Sequence, residues 1–298
     1  MAYEEMKGAY SALFTPYTKD NRIDVEMIGR LVEHQLAGGL RGFFVGGTTG
    51  ESMLLTVAER KQLLEAVIAV NRGRGKIIAH VGCVRTEDSV SLARHAADAG
   101  ADWVSSVPPV YFAQTFEGTV YHYRQIAEAT ALPFMVYAFN TNVEPERDAQ
   151  LFKIRNLKGM KFTNSYYYSI QQLQRWLDEP ALFLSGKDEL LVAALAMVGF
   201  QGGIGTFYNL LPRHFAEICR LVNDVNDAAA ARPLQAEVNA VIALMLKHNS
   251  LAYAKAMMRF IGLDCGPCRG PIAPLTEEQY ARLAGELRAQ GILREGRK

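Results

Sequence analysis

"PFMVYAF" (Pro133–Phe139) and "GMKFT" (Gly159–Thr163) decide the fold, because both are short runs of β-forming residues separated by a helical pattern, Gln150–Ile154. The first run is apolar almost throughout and lacks the alternation of a half-buried strand. Strands in parallel sheets have this composition, since helices cover the sheet on both faces. The two runs therefore predict a strand–helix–strand unit of a parallel sheet.

The same unit recurs along the whole chain. The other predicted strands are Ala9–Thr15, Gly42–Gly46, Lys76–Val81, Trp103–Val107, Ala181–Ser185 and Gly202–Thr206. The other amphipathic helical patterns are Val25–Leu36, Val57–Val70, Asp88–Ala99, Glu117–Ala129, Ile170–Leu177, Glu189–Met197 and Arg213–Val222. Strands that regularly alternate with helices in this way predict an α/β protein with a (β/α)₈ TIM barrel. An open doubly wound sheet is the alternative, but no GxGxxG motif follows the first strand.

Capping residues support the predicted helix starts. Asp24, Thr56 (with Glu59 completing a capping box) and Thr86 precede three of the helical patterns. After the last predicted strand, Ala228–Gln290 has no strand pattern and predicts about three helices. We therefore predict a barrel over residues 1–225 that carries the active site and a C-terminal helical extension over residues 226–298 packed on it.

The composition of the chain limits the kinds of molecule that it is expected to bind. The 298 residues include 32 Lys and Arg against 31 Asp and Glu, for a net charge of +1. This balance argues against binding to nucleic acid or to an anionic membrane surface. The start of the chain lacks the basic, apolar pattern of a signal peptide, and no apolar run reaches the length of a membrane span. Four cysteines in a chain of this length do not indicate a disulfide framework. We expect a cytoplasmic protein with small-molecule partners.

Polar residues at the carboxyl ends of the predicted strands mark the expected active site, because TIM barrels place catalysis there. The candidates are Thr48, Thr49, Tyr111, Tyr137, Lys161, Thr163, Gly186, Asp188, Glu189 and Thr206.

Lys161 is the candidate with the clearest chemistry, because charged residues are rarely placed in a buried strand. Burial disfavours the charged form of an amine, and a neutral amine attacks ketones to form a Schiff base. The imine is an electron sink that stabilises a carbanion on the adjacent carbon, as aldol cleavage requires. Tyr137 on the neighbouring strand would shuttle protons, and the GTTG turn (Gly47–Gly50) would bind a carboxylate through amides and hydroxyls.

Each candidate also has a purely structural explanation. Lys161 could be a snorkelling lysine at an exposed strand end. Tyr137 could be a core residue, and the GTTGE sequence a tight turn. Asp188 and Glu189 suit the first turn of a helix, where acidic side chains interact favourably with the dipole. The functional interpretation rests on their coincidence at one end of the predicted barrel.

Four motifs together resemble the pyruvate-dependent class I aldolase family, which includes N-acetylneuraminate lyase and dihydrodipicolinate synthase. They are GGTTGES (Gly46–Ser52), VYAFN around Tyr137, GMKFT around Lys161 and GGIGTFYN (Gly202–Asn209). The resemblance implies that Lys161 forms an imine with pyruvate, so that no separate cofactor is needed. It implies a proton shuttle at Tyr137 and binding of the pyruvate carboxylate at Thr48 and Thr49. It also implies that Tyr111 completes a relay, sometimes across a subunit interface, and that the protein is a homotetramer.

Downstream motifs are more similar to the lyase than to the synthase. SGKDELL (Ser185–Leu191) resembles the lyase segment that binds a polyhydroxylated tail, and Thr206 replaces the usual serine of the last strand. The synthase carries an arginine shortly after its strand-five tyrosine, and no arginine follows Tyr137 closely here. Lys187, Thr48 and Phe207 depart from the lyase pattern. Cleavage of N-acetylneuraminate is therefore predicted, with dihydrodipicolinate synthase, a 2-keto-3-deoxy sugar acid aldolase and a non-enzymatic keto-acid sensor as alternatives.

Two further motifs do not suggest a function. Cys265-Gly-Pro-Cys268 has redox-motif spacing, but it precedes a proline-rich turn rather than opening a helix after a strand. His80 and Cys83 share a strand end without further ligands, so we predict no metal site.

Overall fold

Eight strands in a computed structural model close into one parallel barrel. The structure describes residues 3–139, 141–248, 251–289 and 291. The strands are β1 (Gly8–Ala12), β2 (Gly42–Val45), β3 (Lys76–His80), β4 (Trp103–Ser106), β5 (Phe134–Phe139), β6 (Leu157–Thr163), β7 (Leu182–Ser185) and β8 (Gly202–Gly205). Each strand pairs with the next, and β8 pairs with β1. The predicted TIM barrel is confirmed.

Helices follow the strands around the barrel. They are α1 (Val25–Ala37), α2 (Val57–Asn71), α3 (Thr86–Ala99), α4 (Phe116–Glu128), α5 (Pro145–Ala149), α6 (Tyr167–Trp176), α7 (Leu191–Ala193) and α8 (Pro212–Asn223). Two predicted helices differ from the observed elements. The pattern Gln150–Ile154 falls on a 3₁₀ turn, Gln150–Lys153, that follows α5. The pattern Glu189–Met197 is divided among a 3₁₀ turn (Asp188–Leu190), the short α7 and a π-helical turn (Ala194–Val198).

Two of the three predicted caps are correct. Asp24 accepts a hydrogen bond from the Met27 N–H, and Thr56 forms a capping box with Glu59. The prediction for Thr86 was wrong, because α3 begins at Thr86 itself and Arg85 is the residue before it. The Thr86 hydroxyl lies instead 3.0 Å from Nδ1 of the buried His122.

Side-chain alternation along the strands separates two cores. Tyr137 points into the barrel with Phe44, Ile78 and Leu184, whereas Val136 points outward into the layer between strands and helices. Because side chains alternate with a period of two, the strand register places Lys161 opposite Tyr137 on the inner face.

The C-terminal region adds α9 (Ala228–His248), α10 (Leu251–Met257) and α11 (Glu277–Ala289), as expected for about three helices. Helix α9 supports the loop after β7. The Gln235 side chain donates to the Asp188 carbonyl at 3.0 Å, and the Asn239 side chain donates to the Glu189 carbonyl at 3.2 Å. The division at residues 225 and 226 stays a prediction. Across the described ranges, none of the helices combines the length and apolar character needed to span a bilayer.

Candidate active site

Lys161 is buried at the carboxyl end of the barrel, with 4% of its surface exposed. Its Nζ lies 3.9 Å from the ring centre of Tyr137 and 4.4 Å from that of Phe44. No described residue accepts a hydrogen bond from Nζ or forms an ion pair with it. A lysine in such surroundings does not match the snorkelling alternative, which requires an exposed ammonium group.

Tyr137 lines the same space from β5. Its ring packs edge-on against Phe44, His80 and Phe139, and 2% of its surface is exposed. The phenol oxygen lies 3.4 Å from Oγ1 of Thr48, which is itself exposed. The predicted proton shuttle and a predicted carboxylate ligand are therefore neighbours.

The turn after β2 depends on glycine at several positions. Gly46 has φ 70, a conformation that glycine adopts without steric cost. A Cβ on Gly47 would lie 2.5 Å from the ring of Phe44, the same ring that contacts Lys161. No described residue accepts a hydrogen bond from the backbone N–H of Thr48 or Thr49. Two such amides beside a threonine hydroxyl could bind an anion.

Thr49 and Thr206 are distant in the sequence but adjacent in the structure. Their hydroxyl oxygens lie 2.7 Å apart, which connects the β2 turn to the residue after β8. Asn209, fully buried, fixes the same region by donating to the carbonyls of Ala12 and Thr206 at 2.7 and 2.8 Å. Asn209 had no predicted role, although it belongs to the GGIGTFYN motif.

Asp188 is held in place by a backbone hydrogen bond at this end of the barrel. Its Oδ2 accepts a hydrogen bond of 2.8 Å from the Phe207 N–H, and a Cβ on Gly205 would lie 1.9 Å from Oδ1. Burial raises the pKa of the Asp188 carboxyl to about 7, although the bond from Phe207 acts in the opposite direction. The side chain is thus held against β8, and its predicted contact with substrate hydroxyls stays a prediction.

The other polar residues at the ends of β6 and β7 differ in accessibility. Glu189 forms an ion pair of 3.3 Å with Lys187, and each side chain is about one-third exposed. Gly186 leaves room for Thr163, since a Cβ there would lie 2.1 Å from Oγ1. That Thr163 hydroxyl is buried and has no hydrogen-bond partner among the described residues.

Tyr111 lies apart from these residues in a single chain. It is 79% exposed on the loop after β4, and its ring contacts Phe112 with 5.0 Å between centres. Its predicted role in a relay is therefore not tested by one chain.

His80 and Arg60 form a buried layer beneath the β2 turn. His80 lies in the site wall against Tyr137, and its Nδ1 lies 2.8 Å from the Gly46 carbonyl. Burial, aided by the charge of Arg60, holds the pKa of His80 well below its usual range, so the neutral imidazole donates from Nδ1. Arg60 donates to the carbonyls of His80 and Gly82 at 2.6 and 2.8 Å. Its place on the apolar face of α2, three residues before Leu63, was the sequence signal for burial.

Neither thiol of the Cys265–Cys268 motif has the character of a redox centre. Both are buried, and burial raises the pKa of each to about 12. Within the described ranges, no three His, Cys, Asp or Glu side chains are grouped so that they could hold a metal ion.

The barrel mouth combines an amine without an ion-pair partner among the described residues, a phenol, and a turn whose backbone N–H groups are available to a ligand. Such groups are compatible with chemistry on a carbonyl compound. A sequence profile of the dihydrodipicolinate synthetase family matches residues 5–290, and the chain belongs to that family. It is a carbon–carbon lyase built on a TIM barrel.

Individual relatives agree with this membership. N-acetylneuraminate lyase of Rhizobium meliloti (strain 1021) is 36% identical over 285 residues, which cover 94% of this chain and 93% of the relative. N-acetylneuraminate lyase 2 of Escherichia coli O6:H1 (strain CFT073) is 34% identical over 280 residues, covering 92% and 91%.

Solved structures share the fold. A structure of CdNal from Clostridium difficile in complex with mannosamine has a TM-score of 0.89 at 27% identity, covering 96% of this chain and 99% of the other. A dihydrodipicolinate synthase structure has a TM-score of 0.88 at 28% identity, covering 96% and 100%. The predicted family resemblance is confirmed.

Proposed function

We propose that the protein is a Schiff-base class I aldolase that reversibly cleaves N-acetylneuraminate to N-acetylmannosamine and pyruvate. The observation that carries the mechanism is Lys161, a buried amine against the ring face of Tyr137 with no described ion-pair partner. A purely structural lysine would need a carboxylate or carbonyl partner to offset its burial.

The reaction uses Lys161 and Tyr137 in sequence. The Lys161 amine attacks the keto carbon, and loss of water leaves a protonated imine. Tyr137 relays the proton from the substrate hydroxyl at the bond to be broken. That carbon–carbon bond then breaks, and its electron pair moves toward the imine nitrogen to give an enamine and an aldehyde. The relayed proton is returned to the enamine carbon, and hydrolysis of the resulting imine by one water molecule releases pyruvate and restores the amine.

The β2 turn would hold the keto acid during these steps. The backbone N–H groups of Thr48 and Thr49 are available to a carboxylate, and the Thr48 hydroxyl lies beside the Tyr137 phenol. A carboxylate bound there lies next to the keto carbon that Lys161 attacks. The position of the anion would therefore orient the substrate for imine formation.

Two features favour a hydroxylated tail over an anionic one. Glu189 and Thr206 present oxygen atoms at the ends of β7 and β8, and such groups accept hydrogen bonds from sugar hydroxyls. Lys187 is the nearby cation, and it is already paired with Glu189. The names of the relatives that are 33–36% identical support the same substrate class, as does the mannosamine in a similar structure.

Borohydride trapping tests the mechanism. The protein is incubated with pyruvate and borohydride, and its intact mass and peptide map are measured. We expect one stable adduct on Lys161 and none in the Lys161→Arg variant. Lys158→Arg is the matched control, since Lys158 is on the same strand but pairs with Glu179. An adduct on Lys158 or Lys187 would contradict the proposal, and so would the absence of any adduct. The absence of an adduct is the result expected of a keto-acid sensor.

A substrate panel tests the specificity separately. Pyruvate release is measured with N-acetylneuraminate and with 2-keto-3-deoxygluconate, and consumption of aspartate semialdehyde is measured with pyruvate. We expect N-acetylneuraminate to be turned over most efficiently. Turnover of either alternative compound with N-acetylneuraminate inert would reject the lyase assignment and leave the imine mechanism standing.

A further inference from the structure

Glu51, the last residue of the GTTGE turn, has a buried carboxylate held by the C-terminal region. Its side chain is 0% exposed and pairs with Lys255 of α10, which is 1% exposed, with 2.7 Å between Oε1 and Nζ. The second oxygen, Oε2, accepts a hydrogen bond of 2.7 Å from the Arg269 N–H. The two partners lie 204 and 218 positions further along the chain.

The same C-terminal groups also hold the segment around the turn. Lys255 donates to the Pro267 carbonyl at 3.1 Å and lies 4.2 Å from the ring centre of Tyr17. The Arg269 guanidinium pairs with Glu59 at 2.6 Å and donates to the Leu54 carbonyl at 3.3 Å. Arg269 therefore also contacts the segment that follows Glu51, at two points.

The backbone of Glu51 shows why the turn needs external support. Its φ is 60, in the left-handed region that non-glycine residues seldom adopt. Such a conformation persists where the surrounding structure fixes it. The Glu51 N–H donates to the Thr48 carbonyl at 3.0 Å, so this conformation is linked directly to the peptide groups of the anion-binding turn.

We propose that Glu51, Lys255 and Arg269, which we call the Glu51 strut, are positioning residues that set the affinity of the β2 turn for the keto-acid carboxylate. This inference rests on the proposed function. Loss of Lys255 leaves the Glu51 carboxylate buried without its counterion, and the turn must rearrange to reach water. The Thr48 and Thr49 amides then lose their alignment, whereas Lys161 on β6 keeps its place.

The test separates binding from the covalent step. The dissociation constant of pyruvate is measured by calorimetry, and the rate of imine trapping is measured at saturating pyruvate. For Lys255→Met and Glu51→Gln we expect a dissociation constant raised roughly tenfold or more, since small misplacements of binding groups have large effects. The trapping rate at saturation should stay close to that of the wild type.

The matched control is Lys247→Met, which removes an exposed lysine that pairs α9 with Glu286 of α11. It perturbs the C-terminal region without touching the turn, so its pyruvate affinity should match the wild type. Glu51→Gln retains the shape of the side chain and an oxygen for the Arg269 N–H, which provides a second variant if Lys255→Met does not fold. Circular dichroism and thermal unfolding identify folded variants.

Each outcome decides the inference. Unchanged pyruvate affinity in a folded strut variant, or an equal loss in Lys247→Met, would overturn it. A trapping rate that falls together with affinity would mean general damage to the barrel rather than positioning of the turn. Pyruvate binding by the wild type without trapping would reject the covalent mechanism alone, whereas a wild type that binds no pyruvate would reject both.

Discussion

Tyr137 and Lys161 occupy paired positions on neighbouring strands, yet the lysine contacts the face of the tyrosine ring rather than its hydroxyl. Nζ lies 3.9 Å from the ring centre, while the phenol oxygen lies 3.4 Å from Thr48 Oγ1. The amine and the phenol are therefore separate groups that could meet the same substrate. A ring face favours a cation, so it would also stabilise the protonated imine.

Tyr137→Phe should separate imine formation from turnover. The phenylalanine ring retains the packing against Lys161, Phe44 and Phe139, so the fold and the trapped adduct should persist. Turnover should fall by roughly 100- to 10,000-fold, the usual contribution of a general acid–base group. Parallel measurements of trapped mass and pyruvate release give both quantities.

The matched control is Tyr123→Phe, because Tyr123 is equally buried but lies on α4 in the outer core. It should retain turnover. Near-normal turnover in Tyr137→Phe would place the proton shuttle on another group.

The barrel could be predicted because several strands are buried, almost wholly apolar runs and helical patterns alternate with the strands along the chain. The burial of Lys161 could be predicted because the lysine lies within such a run. The same reasoning applies to Lys255 in "LAYAKAMM" (Leu251–Met258), whose burial the sequence signals equally well. Its partner was not predictable, because the pairing with Glu51 joins positions that only the closed fold brings together.

The role of Asp188 shows a second limit. The position of Asp188 just after β7 predicts that its carboxylate lies near the site. It does not predict the direction in which the side chain points. Its direction is set by the Phe207 N–H and by the lack of a side chain at Gly205, which lie at the end of the neighbouring strand β8. Thr48 is exposed and Thr49 is buried, although they are adjacent residues of one motif. This difference likewise depends on the backbone conformation of the turn after β2.

Asp188 should make stability fall as pH rises. Its ordinary pKa is 3.8 and burial raises it to about 7, so between these values the folded state holds a proton that the unfolded state has lost. The free energy of unfolding therefore decreases with rising pH in this window, by at most about 1.4 kcal/mol per pH unit. In Asp188→Asn this contribution disappears.

Urea unfolding of both proteins at several pH values across this window measures the effect. The difference between them removes the contributions of other groups, such as His80. Glu128→Gln, a change at an exposed carboxylate on α4 that does not act on the Asp188 pKa, should leave the wild-type slope intact. A constant difference between wild type and Asp188→Asn across the window would show that Asp188 does not titrate there.

Thr163→Val should lower substrate affinity without lowering stability. The Thr163 hydroxyl is buried and has no partner among the described residues, so replacing it with a methyl group of similar shape removes an unsatisfied group. The melting temperature should stay the same or rise. If the hydroxyl contacts the substrate, kcat/KM should fall by about tenfold, the value of one hydrogen bond.

Thr130→Val is the comparison, because Thr130 is a buried residue of the loop between α4 and β5 whose hydroxyl accepts a hydrogen bond from the Leu132 N–H. It should lower the melting temperature and leave kcat/KM unchanged. An unchanged kcat/KM in Thr163→Val would remove Thr163 from the substrate site.

The loop Val110–Phe112 should be covered by a second copy of the chain. Its three side chains are 53%, 79% and 63% exposed, an apolar group that includes Tyr111. Exposed apolar patches of this kind commonly mark protein interfaces. We therefore expect light scattering to give at least a dimer, and a homotetramer as the resemblance implies.

Phe112→Lys should weaken assembly and activity together, because Tyr111 would no longer reach a neighbouring site. Trp176→Lys, which changes a 53% exposed aromatic residue at the end of α6, should affect neither. A monomer with full activity at the assay concentration would exclude any contribution of Tyr111 across subunits.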